Sequence, residues 1–180
     1  IAVTGCYSQR DPEAVRALWG VDLVLGTQER GRIVELLEQA RAGQVGDVKA
    51  LTGAGFEPLR LTRPGSHTRA NIKVQEGCDR FCTYCIIPQV RGPIRSRPIE
   101  ACCAEVAALA DAGVREFVLT GIHLASYGRD WGPDCRMADL LEALCALPGV
   151  GRIRLSSVEP PMLEGDFIPR LAALPQVCRH

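Results

Sequence analysis

Apolar and polar positions alternate between two periods along this chain. Ala2–Thr4 and Val21–Leu25 are short β-prone apolar runs. Between them Asp11-Pro12 carries a helix-start signature, Asp as N-cap and Pro at the first helical position. Ile33, Leu36, Leu37 and Ala40 then recur on one helical face, with Thr27 upstream as a capping residue and a stop near Gly43. This βαβα order predicts parallel pairing. Residues 44–68 lose periodicity and are rich in Gly, Pro and Thr, so they read as a linker. Periodicity resumes with a strand at Ala70–Gln75. A helix begins at Pro98 with Ile99, Cys103, Val106 and Ala110 on its apolar side, and ends at Gly113. Glu116–Thr120 reads as a strand and residues 122–136 as a loop. Met137, Leu140, Leu141, Leu144 and Cys145 keep helical spacing, followed by a strand at Ile153–Ser156 and a helix over Phe167–Leu174. Strand starts about 40 residues apart mark repeated βα units. Three units are in view, fewer than a closed βα barrel needs.

Composition narrows the class. The 180 residues are 47% hydrophobic and 23% charged, unlike a disordered chain. No apolar run is long enough for a membrane span, so no membrane partner is expected. Residue 1 is Ile, and IAVTGC reads as a strand already in progress, so the chain reads as an excerpt of a longer protein. The formal net charge is zero, yet the segment 60–98 holds eight basic residues (Arg60, Arg63, Arg69, Lys73, Arg80, Arg91, Arg95, Arg97) against Glu76 and Asp79, a local +6. Only Lys49 and Lys73 are lysines; the Arg excess runs throughout and is a composition bias, whereas the clustering is informative.

The nine cysteines are the second unusual feature. EGCDRFCTYCIIP sets Cys78, Cys82 and Cys85 as C-x-x-x-C-x-x-C directly after a strand. Three thiolates this close can reach three corners of one iron–sulfur cube, and the fourth iron stays open to a substrate. Zinc prefers four protein ligands, and no fourth Cys or His stands at finger spacing. A disulfide framework suits small secreted chains rather than an α/β chain with an odd cysteine count. The i, i+4, i+7 spacing also fits one helical face, but Gly77 and Pro88 on either side favour a loop. Cys102, Cys103, Cys135, Cys145 and Cys178 have no partner at ligand spacing and read as packing residues. Free thiols with a cluster site point to a reducing cytoplasm.

C-x-x-x-C-x-aromatic-C after the first strand of a βα repeat, with Tyr84 at the aromatic position, resembles the radical S-adenosylmethionine enzymes. VQEGCDRFCTYCIIPQVRGPIRSRP resembles their methylthiotransferase branch, and VTGCYSQR the third cysteine motif of that branch's N-terminal domain. LTGIHLASYG and RIRLSSVEP are similar to the subgroup acting on tRNA N6-threonylcarbamoyladenosine. The resemblance implies an α/β chain. Residues 1–43 would be the C-terminal part of a flavodoxin-like βα domain, 44–68 a linker, and 69–180 the first half of a partial radical SAM barrel. It implies a [4Fe–4S] cluster on Cys78, Cys82 and Cys85, with S-adenosylmethionine on the open iron. Cys6 matches one ligand of a second, auxiliary [4Fe–4S] cluster whose other two cysteines lie outside this sequence, so the fragment alone is expected to be inactive. Tyr84, Gly121, Ser156 and Glu159 fall where such enzymes meet the cofactor, Gly121 through close backbone approach. For Ser156 and Glu159 a helix-cap role competes, and for Gly121 a simple strand-ending turn. Arg91, Arg95 and Arg97 fit either the cofactor carboxylate, RNA phosphates, or a solvated basic loop. His123 reads as structural. The implied partners are the tRNA anticodon loop, S-adenosylmethionine, and an electron donor such as flavodoxin or ferredoxin. Competing readings are isopentenyladenosine in tRNA or a ribosomal-protein aspartate as target, and a zinc-stabilised RNA-binding module without catalysis.

Overall fold

The chain folds as two units, one of Ile1–Leu59 with Cys78–Pro93, the other of Arg60–Gly77 with Ile94–His180. The computed structural model describes residues 1–41, 48, 51, 55–57, 59–61, 68–132 and 136–179. Most of segment 44–68, and the Cys135 packing assignment, lie outside the described residues.

In the first unit, β1 (Ala2–Thr4) pairs in parallel with β2 (Leu23–Leu25), Val3 opposite Val24. Two five-residue helices, α1 (Cys6–Arg10) and α2 (Pro12–Arg16), make the crossover. Asp11 caps α2 as its sequence requires: its carboxylate accepts the Ala14 N–H at 3.0 Å, and Pro sits in the first turn. A third helix, α3 (Ile33–Arg41), buries Leu36 against Leu23 and Leu25, with Ile33 and Ala40 alongside. Leu37 is exposed, so the apolar stripe is narrower than its spacing implies. Thr27 does not cap α3. Its hydroxyl donates to the Val90 carbonyl at 2.8 Å, and a 3₁₀ turn at Arg30–Arg32 precedes the helix. A short polar side chain that finds a buried carbonyl elsewhere is lost to capping.

The second unit is built on a parallel sheet of β3 (Arg69–Lys73), β6 (Glu116–Thr120) and β7 (Arg152–Leu155), in that order. Ala70 lies opposite Phe117, and Phe117 opposite Ile153. Between β3 and β6 the chain adds an antiparallel ribbon of β4 (Gln75–Glu76) and β5 (Arg95–Ser96). Helices α5 (Ile99–Asp111) and α6 (Met137–Cys145) return the chain between parallel strands, and α7 (Phe167–Ala172) follows β7. Ile72, Phe117, Leu119 and Ile153 from the sheet meet Val106, Leu109, Leu140, Leu141 and Leu144 from the helices in one core. Each such side chain contributes about 1.5–3 kcal/mol through burial. Gly113 ends α5 at φ 99°, a backbone shape that glycine adopts without strain. Val177 forms an isolated parallel bridge to Ile153 of β7. The expected α/β class, with parallel strands alternating with helices, is what the chain forms. Among the described residues no helix is long and apolar enough to cross a membrane.

Candidate active site

The cysteine loop, 78–93, belongs to the first unit. Glycines stand at its entry and exit: Gly77 at φ 73° and Gly92 at φ 75°. The Cys78 N–H donates to the Gly92 carbonyl at 3.1 Å and closes the base. Within the loop the Cys85 N–H donates to the Cys82 carbonyl at 2.9 Å. Phe81, at φ 46°, is the one described non-glycine residue with a left-handed backbone, and its ring is exposed. The loop then forms a short helix, α4 (Ile87–Arg91), with Pro88 in its first turn. Five residues are too few for a periodic signal, and Pro88 reads in the sequence as a loop residue rather than a helix start.

Helix α4 rests on the βα elements of the first unit. Val90 is fully buried, and its carbonyl holds the Thr27 hydroxyl. Arg10 Nη1 donates to Gln89 Oε1 at 2.9 Å, and Arg91 Nε to Cys6 Sγ at 3.2 Å. Arg91 and Cys6, singled out separately in the sequence, are therefore neighbours.

Cys78 is buried, Cys85 half-buried and Cys82 exposed; all described cysteines are free thiols. Tyr84 is 92% exposed. Three thiols on one loop, none consumed in a disulfide, suit the iron–sulfur cube by donor chemistry. Among the described residues no three His, Cys, Asp or Glu side chains are gathered tightly enough to hold a single metal ion.

In the second unit the remaining candidates lie at the C-terminal ends of β6 and β7, the end where parallel βα folds place their sites. An ideal Cβ on Gly121 would lie 2.9 Å from both Gln75 Cβ and Leu124 Cδ2, so the backbone passes too close for any side chain. His123 accepts or donates through Nδ1 to the buried Ser126 hydroxyl at 2.6 Å. Glu159 Oε2 accepts the Ala125 N–H at 3.3 Å and ties the loop after β7 to the loop after β6. Ser156 extends the ladder through its N–H to the Leu119 carbonyl at 3.0 Å, leaving its side chain exposed.

Two arginines of the basic segment are buried. Arg95 lies in the β4–β5 ribbon opposite Glu76. Arg97 forms an ion pair with Glu105 inside the protein, and the Tyr127 hydroxyl donates to its carbonyl at 2.7 Å. Burial holds the Tyr127 hydroxyl well above the ordinary phenol range. The partners Glu105 and Gln75 carry no local sequence signal; an acid on a helix normally faces water.

The Radical SAM superfamily profile matches residues 72–176. The chain is 40% identical, over its whole length, to the threonylcarbamoyladenosine tRNA methylthiotransferase MtaB of Bacillus subtilis. It is 38% identical to the ribosomal protein uS12 methylthiotransferase RimO of Desulforudis audaxviator, and 39% to the tRNA-2-methylthio-N(6)-dimethylallyladenosine synthase of Frankia alni, again over the whole chain. It spans 41%, 40% and 37% of those proteins, so about two-fifths of their length. In fold it is similar to the radical S-adenosylmethionine methyltransferase TsrM of Kitasatospora setae, solved with cobalamin and a [4Fe–4S] cluster. That match has a TM-score of 0.61 at 15% identity, covering 96% of this chain and 40% of that one. The chain belongs to the radical SAM superfamily, and the relatives it resembles from end to end are that superfamily's methylthiotransferases.

Proposed function

We propose that this chain is the cofactor-binding part of a methylthiotransferase that adds a methylthio group to C2 of N6-threonylcarbamoyladenosine, beside the tRNA anticodon. One observation carries this reading: 40% identity across the full chain with a threonylcarbamoyladenosine tRNA methylthiotransferase, with the three-cysteine loop intact. Cys78, Cys82 and Cys85 are the residues that would hold a [4Fe–4S] cluster. With S-adenosylmethionine on its open iron, that cluster supplies one-electron reductive cleavage and, through it, hydrogen abstraction from an unreactive carbon. The chain's own work is to bind and orient. Gly121 lets backbone approach the cofactor, Ser156 and Glu159 line the same sheet end, and Tyr84 and Arg91 flank the cysteines. Cys6 is the chain's contribution to the auxiliary cluster. A flavodoxin or ferredoxin would deliver the electron, in the reducing cytoplasm that free thiols and iron–sulfur chemistry favour.

Reconstituted anaerobically, the full-length protein that contains this chain should take up iron and acid-labile sulfide and cleave S-adenosylmethionine, and Cys82→Ala should abolish cleavage. Zinc without sulfide would instead support a non-catalytic RNA-binding module. The near-equal identities to the dimethylallyladenosine and uS12 enzymes favour a second reading, the same chemistry on another target. Mass spectrometry of tRNA nucleosides from a deletion strain separates them. Loss of the methylthio form of threonylcarbamoyladenosine supports the first reading, and an unchanged nucleoside profile refutes it.

A further inference from the structure

Gln75 is the polar side chain at the centre of the second unit's sheet end. It is 0% exposed, and each of its amide groups is bonded. Nε2 donates to the carbonyls of Glu76 at 2.9 Å and Gly77 at 2.8 Å; Oε1 accepts the His123 N–H at 2.8 Å. The orientation is forced, because a flipped amide would set oxygen against two carbonyls and NH₂ against an N–H. Gly121 crosses directly over this side chain, its ideal Cβ 3.0 Å from Oε1 and 2.9 Å from Gln75 Cβ. A pair of backbone bonds frames the arrangement: Val74 N–H to the Thr120 carbonyl and Arg97 N–H to the Val74 carbonyl, at 2.9 and 2.8 Å.

A buried glutamine at a strand end is costly unless fully bonded, and simple packing would be served as well by Leu or Met. What the amide adds is direction. It fixes the last two peptide groups before Cys78 relative to the segment Gly121–His123.

We propose that Gln75 is a positioning residue: its side-chain amide clamps the Glu76–Gly77 peptides, which lead into the cysteine loop, to the loop leaving β6, so that the two segments move as one piece. The clamp itself stands on the bonds above. Its consequence for S-adenosylmethionine binding rests on the function proposed above.

The test uses Gln75→Leu and the isosteric Gln75→Glu. The leucine variant removes all three bonds. The glutamate keeps the acceptor for the His123 N–H but turns a carboxylate oxygen toward two carbonyls. In the cluster-free protein, hydrogen exchange at the His123 amide should speed up at least about tenfold in Gln75→Leu, and stay close to wild type in Gln75→Glu. After reconstitution both variants should match wild type in iron and sulfide per chain, while S-adenosylmethionine binds about tenfold more weakly and shifts the reduced cluster's EPR signal less. Unchanged His123 exchange in Gln75→Leu, or wild-type S-adenosylmethionine affinity in a folded variant, overturns the proposal. Should Gln75→Leu fail to fold, the affinity of Gln75→Glu decides. A wild-type protein that loads iron yet binds no S-adenosylmethionine refutes the proposed function instead, and the exchange measurement still judges the clamp.

Discussion

Replacing Arg97 by methionine should destabilise the second unit by about 3–5 kcal/mol, the usual cost of removing one member of a buried ion pair. The side chains of Arg97 and Glu105 are 5% and 3% exposed and in direct contact. Arg97 Nη2 also reaches the Ala101 carbonyl at 3.3 Å, and Glu105 Oε1 accepts the Leu61 N–H at 2.7 Å. Without the guanidinium, the Glu105 carboxylate keeps one backbone donor in a site that excludes water. With a total stability of about 5–15 kcal/mol, such a loss removes a third or more of it. Arg97→Met/Glu105→Leu removes both charges and deprives the Leu61 N–H and the Ala101 carbonyl of a side-chain partner. It should recover most of the loss and end within about 1–2 kcal/mol of wild type. Urea unfolding followed by circular dichroism gives the four corners of the double-mutant cycle. The single-variant penalty should persist in roughly 1 M NaCl, because buried pairs are poorly screened. A single variant within about 1 kcal/mol of wild type, or a double variant no more stable than the worse single, refutes this reasoning.

Gly121→Ala should cost about 1–3 kcal/mol by overpacking against Gln75 and Leu124, read as a lowered Tm; an unchanged Tm would mean the contact is soft. Arg170 bonds Asp139 at 2.6 Å and Glu142 at 2.7 Å and holds both carboxyls below their usual range. Depressed carboxylates stabilise the fold above the ordinary carboxylate pKa, near about 4, and lose that contribution as pH falls through their lower folded values. The Tm gap between wild type and Arg170→Met should therefore be present at about pH 7 and shrink toward about pH 2–3; a gap that widens in acid would refute it. Burial pushes the Cys102 thiol up to about 12, whereas Cys82 is exposed. Iodoacetamide at about pH 8 on the cluster-free native protein should label Cys82 and spare Cys102, as peptide mass spectrometry would show.

The sheet-forming strands and the long helices were legible because each buries one face at a regular period. Glu116–Thr120 and Met137–Cys145 match their sequence patterns, and β7 begins one residue early at Arg152. Helices α1 and α4 were not legible: one turn carries no periodicity, and each is held by contacts distant in sequence, such as Arg91 with Cys6. The cysteine spacing alone marked the chemistry of the loop. The buried polar side chains were hidden, since Gln75 and Glu105 are polar residues whose bonded partners lie 48 and 44 positions away. Charge clustering misled in one respect. By sequence Arg95 and Arg97 fit either binding an anion or lying in a solvated basic loop, and the structure buries both, so the solvated loop is the reading that fails for them.

The packing of α4 on the first βα elements has a consequence for how the chain comes off the ribosome. Everything that supports the cysteine loop within its unit lies at or before Pro93, whereas the three-stranded sheet waits for β7 at Arg152–Leu155. Synthesis runs from the N-terminus, so residues 1–41 are made before the cysteines emerge. The loop can dock through Val90 and Arg91 while β6 and β7 are still unmade. The residues that pack against the loop within its unit are thus already synthesised when the thiols emerge. A fragment cut in the 44–68 segment would keep Cys78, Cys82 and Cys85 and discard the surface they are presented from.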